Sequence, residues 1–485
     1  MPLRRQTVRA VLALLPPAAW GLFAGWWTPR GPGTVGTALV SIGVSLAVGL
    51  LAGWLSRSRW AMLAAPVLFA VGVELVRIGL RGPTVDRPHL SGFGVVALLT
   101  GRGVHGLLTL LPLLVGAAYG AGIARRVAGV APRGPVVRWL GRGAVGLLAA
   151  VLALVTVGAA VPARTAPIPG GIARFDSVTS AGRHLGLLIR GTDPAAPVLL
   201  VVPGPPGGSE IASVRRHLAA LEQRFVVVTW DRAAGPRSWS AFRSPAAWTL
   251  EDEVTDLLAV TRHLRERFGR DRIHLLAHSG GTIPGLLAAQ RHPELFAAYV
   301  GVGQVVCLRE ADRSQYADTL AWARRTGRTG LADRMAAQGP PPYPDIWAYE
   351  PLLTNEAGAF AFDRTGAGED ETGMVGNVGV PEQSPLETAH VFGFLDGWDV
   401  LYPRLQELDF RRDVRQLQVP AYFVDGAHEV PGRLRLFDEW YAQLQAPRKD
   451  HLVIPGAGHR SLFERPEPFV AYLTRFGAGT DPAGD

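Results

Sequence analysis

Residues 273–290 read IHLLAHSGGTIPGLLAAQ, and this stretch decides the predicted fold. Ile273–Ala277 is a short apolar run typical of a buried strand, and Thr282–Gln290 continues as a helix. The tetrapeptide HSGG lies between them, with Ser279 at its second position. A sharp strand-to-helix turn of small residues exposes a serine in the pattern Gly-x-Ser-x-Gly, and here Ala277 replaces the first glycine. The stretch therefore predicts Ser279 as a nucleophile.

The sequence around this stretch has the pattern of an α/β domain. Short apolar runs alternate with amphipathic segments such as Glu251–Phe268, in which apolar side chains recur at helical spacing. This alternation predicts a mostly parallel sheet covered by helices on both faces. Six runs are candidate strands: Val198–Val202, Phe225–Trp230, Ile273–Ala277, Ala298–Val302, Ala421–Val424 and His451–Ile454.

A serine nucleophile needs a base and an acid, and candidates for both follow the last two predicted strands. His459 lies in the glycine-rich loop PGAGH, where core packing explains a histidine poorly, so we expect it to be the base for Ser279. The strand before it leads into Asp425 and Glu429, and either carboxylate has the chemistry to orient a histidine. Asp231 follows an earlier strand and is expected to bond its own turn.

With these motifs, residues 198–476 resemble the α/β-hydrolase superfamily, and within it the proline iminopeptidase-like branch. The segment VPGPPGGS is similar to the branch's HGGPGGS loop, DRAAGPRS to its DQRGxGxS turn and GAGHRSLFERPEPF to its histidine loop; they occupy residues 202–209, 231–238 and 456–469. The resemblance implies an α/β-hydrolase fold with a helical cap, and a serine peptidase that works through an acyl-enzyme.

The resemblance also bears on the acid and on the oxyanion hole. The acid position of the branch falls on Glu429 rather than Asp425, which completes the expected triad. Pro203 and Pro205 stand where the branch has its histidine and its second glycine, and proline has no N–H to donate. The expected oxyanion donors are therefore Gly280 and, as a second donor, Gly204 or Gly207.

Residues 306–402 are expected to form the cap and to carry the substrate pocket. The segments GVGQV and GPPPYP resemble the start of the cap in this branch, and the expected substrate-binding residues are Gln304, Glu310 and Tyr343. A peptidase that removes the first residue of a peptide has to bind a protonated amine, so the cap should offer carboxylates. The candidates are Glu310, Asp312, Asp345, Glu350, Glu356 and Asp363.

Residues 1–163 are expected to form an all-α transmembrane region, joined by a linker, 164–176, to the α/β domain at 177–485. Five apolar stretches are long enough to cross a bilayer: Ala10–Trp27, Thr34–Leu55, Trp60–Leu80, Val104–Ala124 and Gly143–Val161. The connecting segments on one side hold more arginines than those on the other. This asymmetry predicts a cytoplasmic amino terminus and an α/β domain outside the cytoplasm.

Composition narrows the classes of partner. The net charge is +8, and nearly all of the basic residues are arginines, many of them between the apolar stretches. No nucleic-acid recognition motif accompanies this charge. The single cysteine, Cys307, leaves no disulfide framework or multi-cysteine metal site, and no metal or cofactor is expected. The expected partners are a lipid bilayer and a peptide or small-molecule substrate.

Three functions stay open on this sequence. The resemblance favours hydrolysis of peptides with a free amino terminus. An esterase, lipase or thioesterase acting on a membrane-derived or small acyl substrate is the main alternative, because one fold hosts many substrates. A non-catalytic binding domain is the third, and the complete set of Ser279, His459 and Glu429 argues against it.

Overall fold

The computed structural model describes residues 2–130, 134–205, 208–240, 247–366, 376 and 378–477. The chain divides into two compact units. The helical unit comprises Met1–Ala163, Ser240–Ser244 and Ser384–His390. The sheet unit comprises Arg164–Trp239, Pro245–Gln383 and Val391–Asp485.

The described part of Met1–Ala163 is built from α-helices. They are α1 Pro2–Trp27, α2 Val35–Ser56, α3 Ala61–Arg77, α4 Gly92–Leu98, α5 Val104–Val127 and α6 Pro135–Ala160. A capping box between Thr34 and Thr37 begins α2, because their side chains take up N–H groups that the first turn leaves unbonded. A π-helical turn, Leu99–Gly103, joins α4 to α5.

Helices α2 and α5 pack with their backbones in contact, and glycines make this possible. A Cβ atom added at Gly53 would lie 2.2 Å from the carbonyl oxygen of Ala117, and one at Gly120 would lie 2.0 Å from that of Leu50. Any side chain at these positions would therefore force the helices apart. Close approach through small residues is typical of helix pairs in an apolar solvent, where packing replaces the hydrophobic effect.

Three helices in the described part of the chain are long and apolar enough to cross a membrane: Val35–Ser56, Gly92–Val127 and Pro135–Ala160. Val11–Trp27 is a shorter apolar helix. The third predicted span became α3, which is only 17 residues long and ends at Arg77 rather than at Leu80. Its charged residues pair within the helical unit, since Glu74 accepts hydrogen bonds from Arg77 at 3.0 Å and from Arg102 at 2.9 Å.

The sheet unit contains an eight-stranded sheet in the order β1-β2-β4-β3-β5-β6-β7-β8. Strands β3 to β8 pair in parallel, and the β1–β2 and β2–β4 pairs are antiparallel. The bounds are β1 Ile172–Ser180, β2 Arg183–Gly191, β3 Val198–Val202, β4 Val226–Trp230, β5 Ile273–His278, β6 Phe296–Val302, β7 Ala421–Gly426 and β8 Lys449–Ile454. All six predicted strands are present, and the predicted fold class is confirmed.

Strands β1 and β2 form a hairpin that the sequence analysis missed. Residues 164–176 were expected to be a linker, but β1 already begins at Ile172. The backbone before β1 is also held in the sheet unit, because Arg190 donates a hydrogen bond to the carbonyl of Ala166 at 2.8 Å. The boundary predicted at residue 177 is therefore too late. Ala181 and Gly182 form the turn of this hairpin, and both have positive φ angles, as a two-residue hairpin turn requires. The glycine at this turn was the signal that the sequence analysis missed.

Helices cover the sheet and fill the segment between β6 and β7. Those that flank the strands are α7 Ile211–His217, α8 Leu250–Phe268, α9 Thr282–Arg291, α16 Pro431–Gln443, α17 Ser461–Glu464 and α18 Pro466–Gly477. Those between β6 and β7 are α10 Leu308–Arg325, α11 Thr329–Gln338, α12 Ile346–Ala359, α13 Pro385–His390, α14 Phe394–Leu401 and α15 Phe410–Asp413. All of the second group except α13 lie in the sheet unit, and α10, α11, α12 and α14 occupy the segment expected to be the cap.

The core of the sheet unit lies between the sheet and its helices. Buried side chains of neighbouring strands, among them Leu199, Leu276, Val300 and Val424, pack against Phe469 of α18. Because the central strands are parallel, their carboxyl ends meet at one edge of the sheet, where ligands bind in open α/β sheets. The loops after β3, β5, β7 and β8 carry the predicted site residues at this edge.

Candidate active site

Ser279 lies in the tight turn between β5 and α9, with a φ angle of 48°. This left-handed conformation is strained for a residue with a side chain, and such strain is concentrated at functional sites. The turn needs a glycine at 281, because a Cβ atom there would lie 2.6 Å from the carbonyl oxygen of Pro203. Ala277, which replaces the usual glycine, fits because α9 has Gly285 opposite, where an added Cβ would lie 2.9 Å from the Ala277 Cβ.

The structure brings the three predicted triad residues together. Nε2 of His459 lies 2.7 Å from the Oγ of Ser279, and Nδ1 of the same ring lies 2.5 Å from Oε2 of Glu429. His459 is 22% exposed and Glu429 only 2%, so the base is accessible while its carboxylate is shielded. Gly303 provides the space for the ring, because a Cβ atom there would lie 2.9 Å from Cε1 of His459.

Charges around Glu429 keep it ionised. Burial raises the pKa of Glu429, but the charges of His459 and Arg433 outweigh that effect and hold the pKa at about 2. Arg433 donates a hydrogen bond to Oε1 of Glu429 at 3.3 Å, and the backbone N–H of Val430 donates another at 2.8 Å. The carboxylate can therefore orient His459 and stabilise its protonated form.

Asp425, the other candidate acid, pairs with a different histidine. Its Oδ2 lies 2.9 Å from Nε2 of His451, and burial raises the pKa of Asp425. The choice of Glu429, which the sequence analysis took from the family resemblance, agrees with this geometry. Asp231 bonds its own turn as predicted, because its carboxylate accepts a hydrogen bond from the N–H of Arg237 at 2.9 Å.

The loop after β3 lies against the nucleophile, but the predicted donor Gly204 is already bonded. A Cβ atom at Gly204 would be 3.0 Å from the Cβ of Ser279, yet its N–H donates to Oε2 of Glu210 at 3.1 Å. The N–H of Gly208 donates to Pro205 at 2.7 Å. The prediction of Gly204 as an oxyanion donor is therefore wrong, because a buried carboxylate takes its N–H. Gly207, the alternative, lies outside the described residues, and Gly280 remains the predicted first donor.

Three predicted substrate-binding side chains bond to other residues of the protein. The Gln304 side chain accepts a hydrogen bond from Tyr299 at 2.7 Å and donates one to the carbonyl of Val305 at 2.7 Å. Tyr343 is buried and donates its hydroxyl hydrogen to the carbonyl of Gly339. These contacts hold both side chains in the local fold, and their part in substrate binding stays a prediction.

Glu310, the third of them, is neutralised by arginine. Its carboxylate pairs with Arg411, which also pairs with Asp409 and Glu439. Arg411 compensates the negative charge that a substrate ammonium would need, so this pairing does not favour Glu310 as the partner of the amine.

Two other acids of the predicted cap interact with Arg433, the arginine that reaches Glu429 of the triad. Glu356 accepts a hydrogen bond from Arg433 at 2.7 Å, and the same arginine reaches Glu429. Asp312 is buried and accepts hydrogen bonds from the hydroxyl of Tyr402 and the amide of Gln406, both at 2.8 Å. Burial raises the pKa of Asp312 to about 6, against the effect of those two hydrogen bonds.

The sequence analysis missed several residues that bond to the catalytic segments. They are Glu210, Arg232, His278, Arg433 and Arg460. Two of them were adjacent in sequence to predicted residues, since His278 precedes Ser279 and Arg460 follows His459. That adjacency was a usable signal, and so was the spacing of four residues between Arg433 and Glu429, whereas the contacts of Glu210 with His278 and Arg460 depend on long-range packing.

One group of side chains in the described part of the chain has ligand atoms near enough to share a metal ion. Atoms of Cys307, Glu310 and Asp409 all lie within 4.8 Å of one another. Arg411 pairs with both carboxylates, so an arginine already supplies the compensating positive charge. These contacts do not favour a metal site.

Comparisons with known proteins bear on the family and the fold. A family model of the alpha/beta hydrolase fold matches residues 197–339. The Probable aminopeptidase YbaC of Bacillus subtilis (strain 168) is 26% identical over 298 residues, which cover 60% of this chain and 91% of that protein.

Two solved structures are also similar. A proline iminopeptidase-related protein from Thermus thermophilus is 22% identical, with a TM-score of 0.44 and coverage of 63% of this chain and 97% of that one. The proline iminopeptidase of Mycobacterium smegmatis is 18% identical, with a TM-score of 0.43 and coverage of 65% and 100%.

The match to the family model over residues 197–339 and the sheet order show that this chain contains an α/β-hydrolase fold. Its similarity to an aminopeptidase agrees with the proline iminopeptidase-like branch, to which the sequence motifs pointed. The family-model match and the aminopeptidase relative together support a hydrolase.

Proposed function

We propose that the chain is a membrane-anchored serine hydrolase that cleaves peptides with a free amino terminus. The contact that carries the serine mechanism is the one between Ser279 Oγ and His459 Nε2, at 2.7 Å, backed by Glu429. A serine hydroxyl is a weak nucleophile until a neighbouring base takes its proton. This distance is within hydrogen-bond reach for that transfer.

The reaction follows from the roles of these groups. His459 accepts the proton of Ser279 as Oγ attacks the substrate carbonyl, and Glu429 stabilises the imidazolium that forms. The imidazolium then protonates the leaving amine, and an acyl-enzyme remains on Ser279. Water, activated by His459, hydrolyses that ester. The N–H of Gly280, directly after the nucleophile, is the proposed donor to the oxyanion.

Preference for a free amine is supported by the excess of negative charge near the triad. Asp312, Glu356 and Glu429 contribute three carboxylates, and Arg433 pairs with two of them, Glu356 and Glu429. Asp312 is bonded to a hydroxyl and an amide rather than to a cation. A protonated amine is the substrate group that would balance this charge, since an ammonium buried without a partner is strongly unfavourable. The similarity to a relative named as an aminopeptidase supports the same preference.

The proposal includes anchoring through the helical unit, with the sheet unit on the extracytoplasmic side. Three helices of membrane-spanning length support the anchoring. The orientation rests on the arginines, because Arg57, Arg59, Arg125 and Arg126 lie in connections of one set and short basic connections are retained in the cytoplasm.

The substrate proposal is tested by neutralising Asp312 and comparing two substrates. With Asp312→Asn we expect the KM for an aminoacyl p-nitroanilide to rise about tenfold, the equivalent of about 1.4 kcal/mol, because the ammonium loses its counter-charge. The KM for uncharged p-nitrophenyl acetate should stay within about twofold. Glu310→Gln is the matched control, since Glu310 pairs with Arg411 and should leave both values unchanged.

Measuring KM over a pH series with the wild-type chain is a second test of the role of Asp312. Below the pKa of Asp312, about 6, the carboxyl takes up a proton and loses its charge while the substrate amine stays protonated. The KM for the aminoacyl substrate should therefore rise as the pH falls from 7 to 5, and that for the ester should not. Equal losses on both substrates would assign Asp312 a structural role. Cleavage of amine-blocked amides as fast as free ones would favour the esterase alternative.

A further inference from the structure

One buried carboxylate contacts three segments of the candidate active site. Glu210 is fully buried and accepts a hydrogen bond from the Gly204 N–H at 3.1 Å. Its Oε1 lies 2.8 Å from Nδ1 of His278 and 3.3 Å from a guanidinium nitrogen of Arg460. Each of these partners belongs to a different element of the site.

Each of these partners lies next to a catalytic residue or packs against one. His278 directly precedes the nucleophile, Arg460 directly follows the base and Gly204 lies in the loop that packs against Ser279. Because one carboxylate group has a fixed shape, bonding to all three relates the positions of the three segments to one another. Side chains that fix the relative positions of reacting groups affect the reaction rate, since a shift of about 1 Å can reduce that rate about 100-fold.

We propose that Glu210 is a positioning residue that sets the relative placement of the nucleophile turn, the base loop and the loop after β3. This role rests on the proposed serine mechanism of Ser279 and His459. Glu210 touches no reacting atom in it, and acts through His278, Arg460 and the Gly204 peptide.

The charge of Glu210 is suited to this role. Burial raises the pKa of Glu210, but the neighbouring His278 and Arg460 outweigh that effect and lower it, so the carboxylate is ionised at neutral pH. Hydrogen bonds to an ionised acceptor are about twice as strong as neutral ones. Removing this acceptor would leave buried donors unsatisfied, at a cost larger than the net gain of forming the bonds.

A second group holds the same loop from the other side. Arg232 is buried and donates hydrogen bonds to the carbonyls of Pro203, at 3.1 Å, and Pro205, at 3.3 Å. The Gly204 peptide is thus fixed at its N–H by Glu210 and at the flanking carbonyls by Arg232. With its N–H bonded to Glu210, the Gly204 peptide contributes a fixed wall beside Ser279 rather than a donor to the oxyanion.

The test replaces Glu210 by glutamine, which keeps the size and removes the charge. We expect Glu210→Gln to lower kcat about 100-fold while KM changes less than about threefold, because the substrate contacts in the cap are untouched. The rate of labelling by a fluorophosphonate, which reacts with activated serines, should fall by a similar factor. Activities are compared per folded molecule, from the amplitude of thermal unfolding.

Glu222→Gln is the matched control. Glu222 is also a buried glutamate of the sheet unit, and it pairs with Arg190 and Arg215 rather than with any catalytic segment. We expect it to lose stability without losing kcat per folded molecule. His278→Gln, which removes only one of the three contacts, should reduce kcat in the same direction by about tenfold, and serves if Glu210→Gln does not fold.

The outcomes separate this inference from the serine mechanism. If Ser279→Ala still reacts with the fluorophosphonate, the proposed mechanism is wrong. If Ser279→Ala does not react but the folded Glu210 and His278 variants keep the wild-type kcat, the positioning role is overturned. A rise in KM at constant kcat would also overturn it, by assigning Glu210 to substrate binding.

Discussion

The two units use apolar side chains in opposite ways. Every large apolar side chain that is exposed in the described part of the chain, apart from Val453, belongs to the helical unit. Trp26, Leu140 and Leu154 are examples, with 69%, 70% and 72% of their surfaces exposed. In the sheet unit, the strands β3 and β4 are instead buried along their whole length.

This difference is expected if the helical unit lies in lipid and the sheet unit lies in water. A surface of exposed leucines and tryptophans is unfavourable in water but matches a hydrocarbon environment. The glycine contacts between α2 and α5 fit the same environment, since helix pairs in lipid gain little from burying apolar area and rely on close packing. The sheet unit buries its large apolar side chains, and it also contains the polar side chains of the candidate active site. The comparison predicts that changes in one unit affect different properties from changes in the other.

The largest expected contrast concerns access from the two sides of a membrane. Protease added to intact cells or spheroplasts should digest the sheet unit completely, because the proposed orientation puts it outside the cytoplasm. Immunoblots against tags at each end of the chain measure this. Protection of the sheet unit until lysis would contradict the orientation and the number of spans behind it.

The next contrast separates two carboxylates within the sheet unit. Glu429→Gln should lower kcat by about 10³- to 10⁴-fold, because the histidine loses the group that selects its tautomer and stabilises its charge. Asp425→Asn should reduce kcat less than about tenfold, since Asp425 pairs with His451. Steady-state hydrolysis measures both. The reverse ranking would make Asp425 the acid of the triad.

A smaller effect is expected from a substitution in the helical unit. Gly53→Leu should destabilise that unit by about 1–3 kcal/mol, because its side chain meets the α5 backbone. Gly43→Leu in the same helix is the control, since an added Cβ there meets nothing within 4 Å. Thermal unfolding in detergent compares the two. Equal stability of the two variants would contradict the close packing of α2 on α5.

Much of the fold was predictable because its signals are local. Six of the strands appear as short apolar runs. Apolar residues recur every 3.6 positions in an amphipathic helix and every two positions in a half-buried strand, and either spacing is visible within a short stretch of sequence. The hairpin of β1 and β2 escaped because β1 has a mixed sequence, IARFDSVTS, with little of its surface fully buried. An edge strand of this kind lacks the apolar run by which a central strand is recognised.

The candidate site was predictable where its residues follow strands of the sheet. Ser279, Glu429 and His459 each lie in a loop at the carboxyl end of a strand, and parallel strands bring such loops to one edge. The predicted substrate-binding residues do not follow from this rule. Gln304, Glu310 and Tyr343 were chosen as polar residues in or near the cap, and each bonds to a partner that sequence patterns do not reveal.

The sequence by itself determined the kinds of element, their order and the chemical groups in the loops, since backbone periodicity and turn chemistry act over a few residues. Only the tertiary structure decided which of those groups meet. Glu429 reaches His459 while Asp425, four positions earlier, reaches His451. Glu210 faces His278 across 68 positions of chain. Pairings of this kind depend on how loops and helices pack in three dimensions, because a charge–charge or hydrogen-bond contact acts over a few ångströms, whatever the separation along the chain.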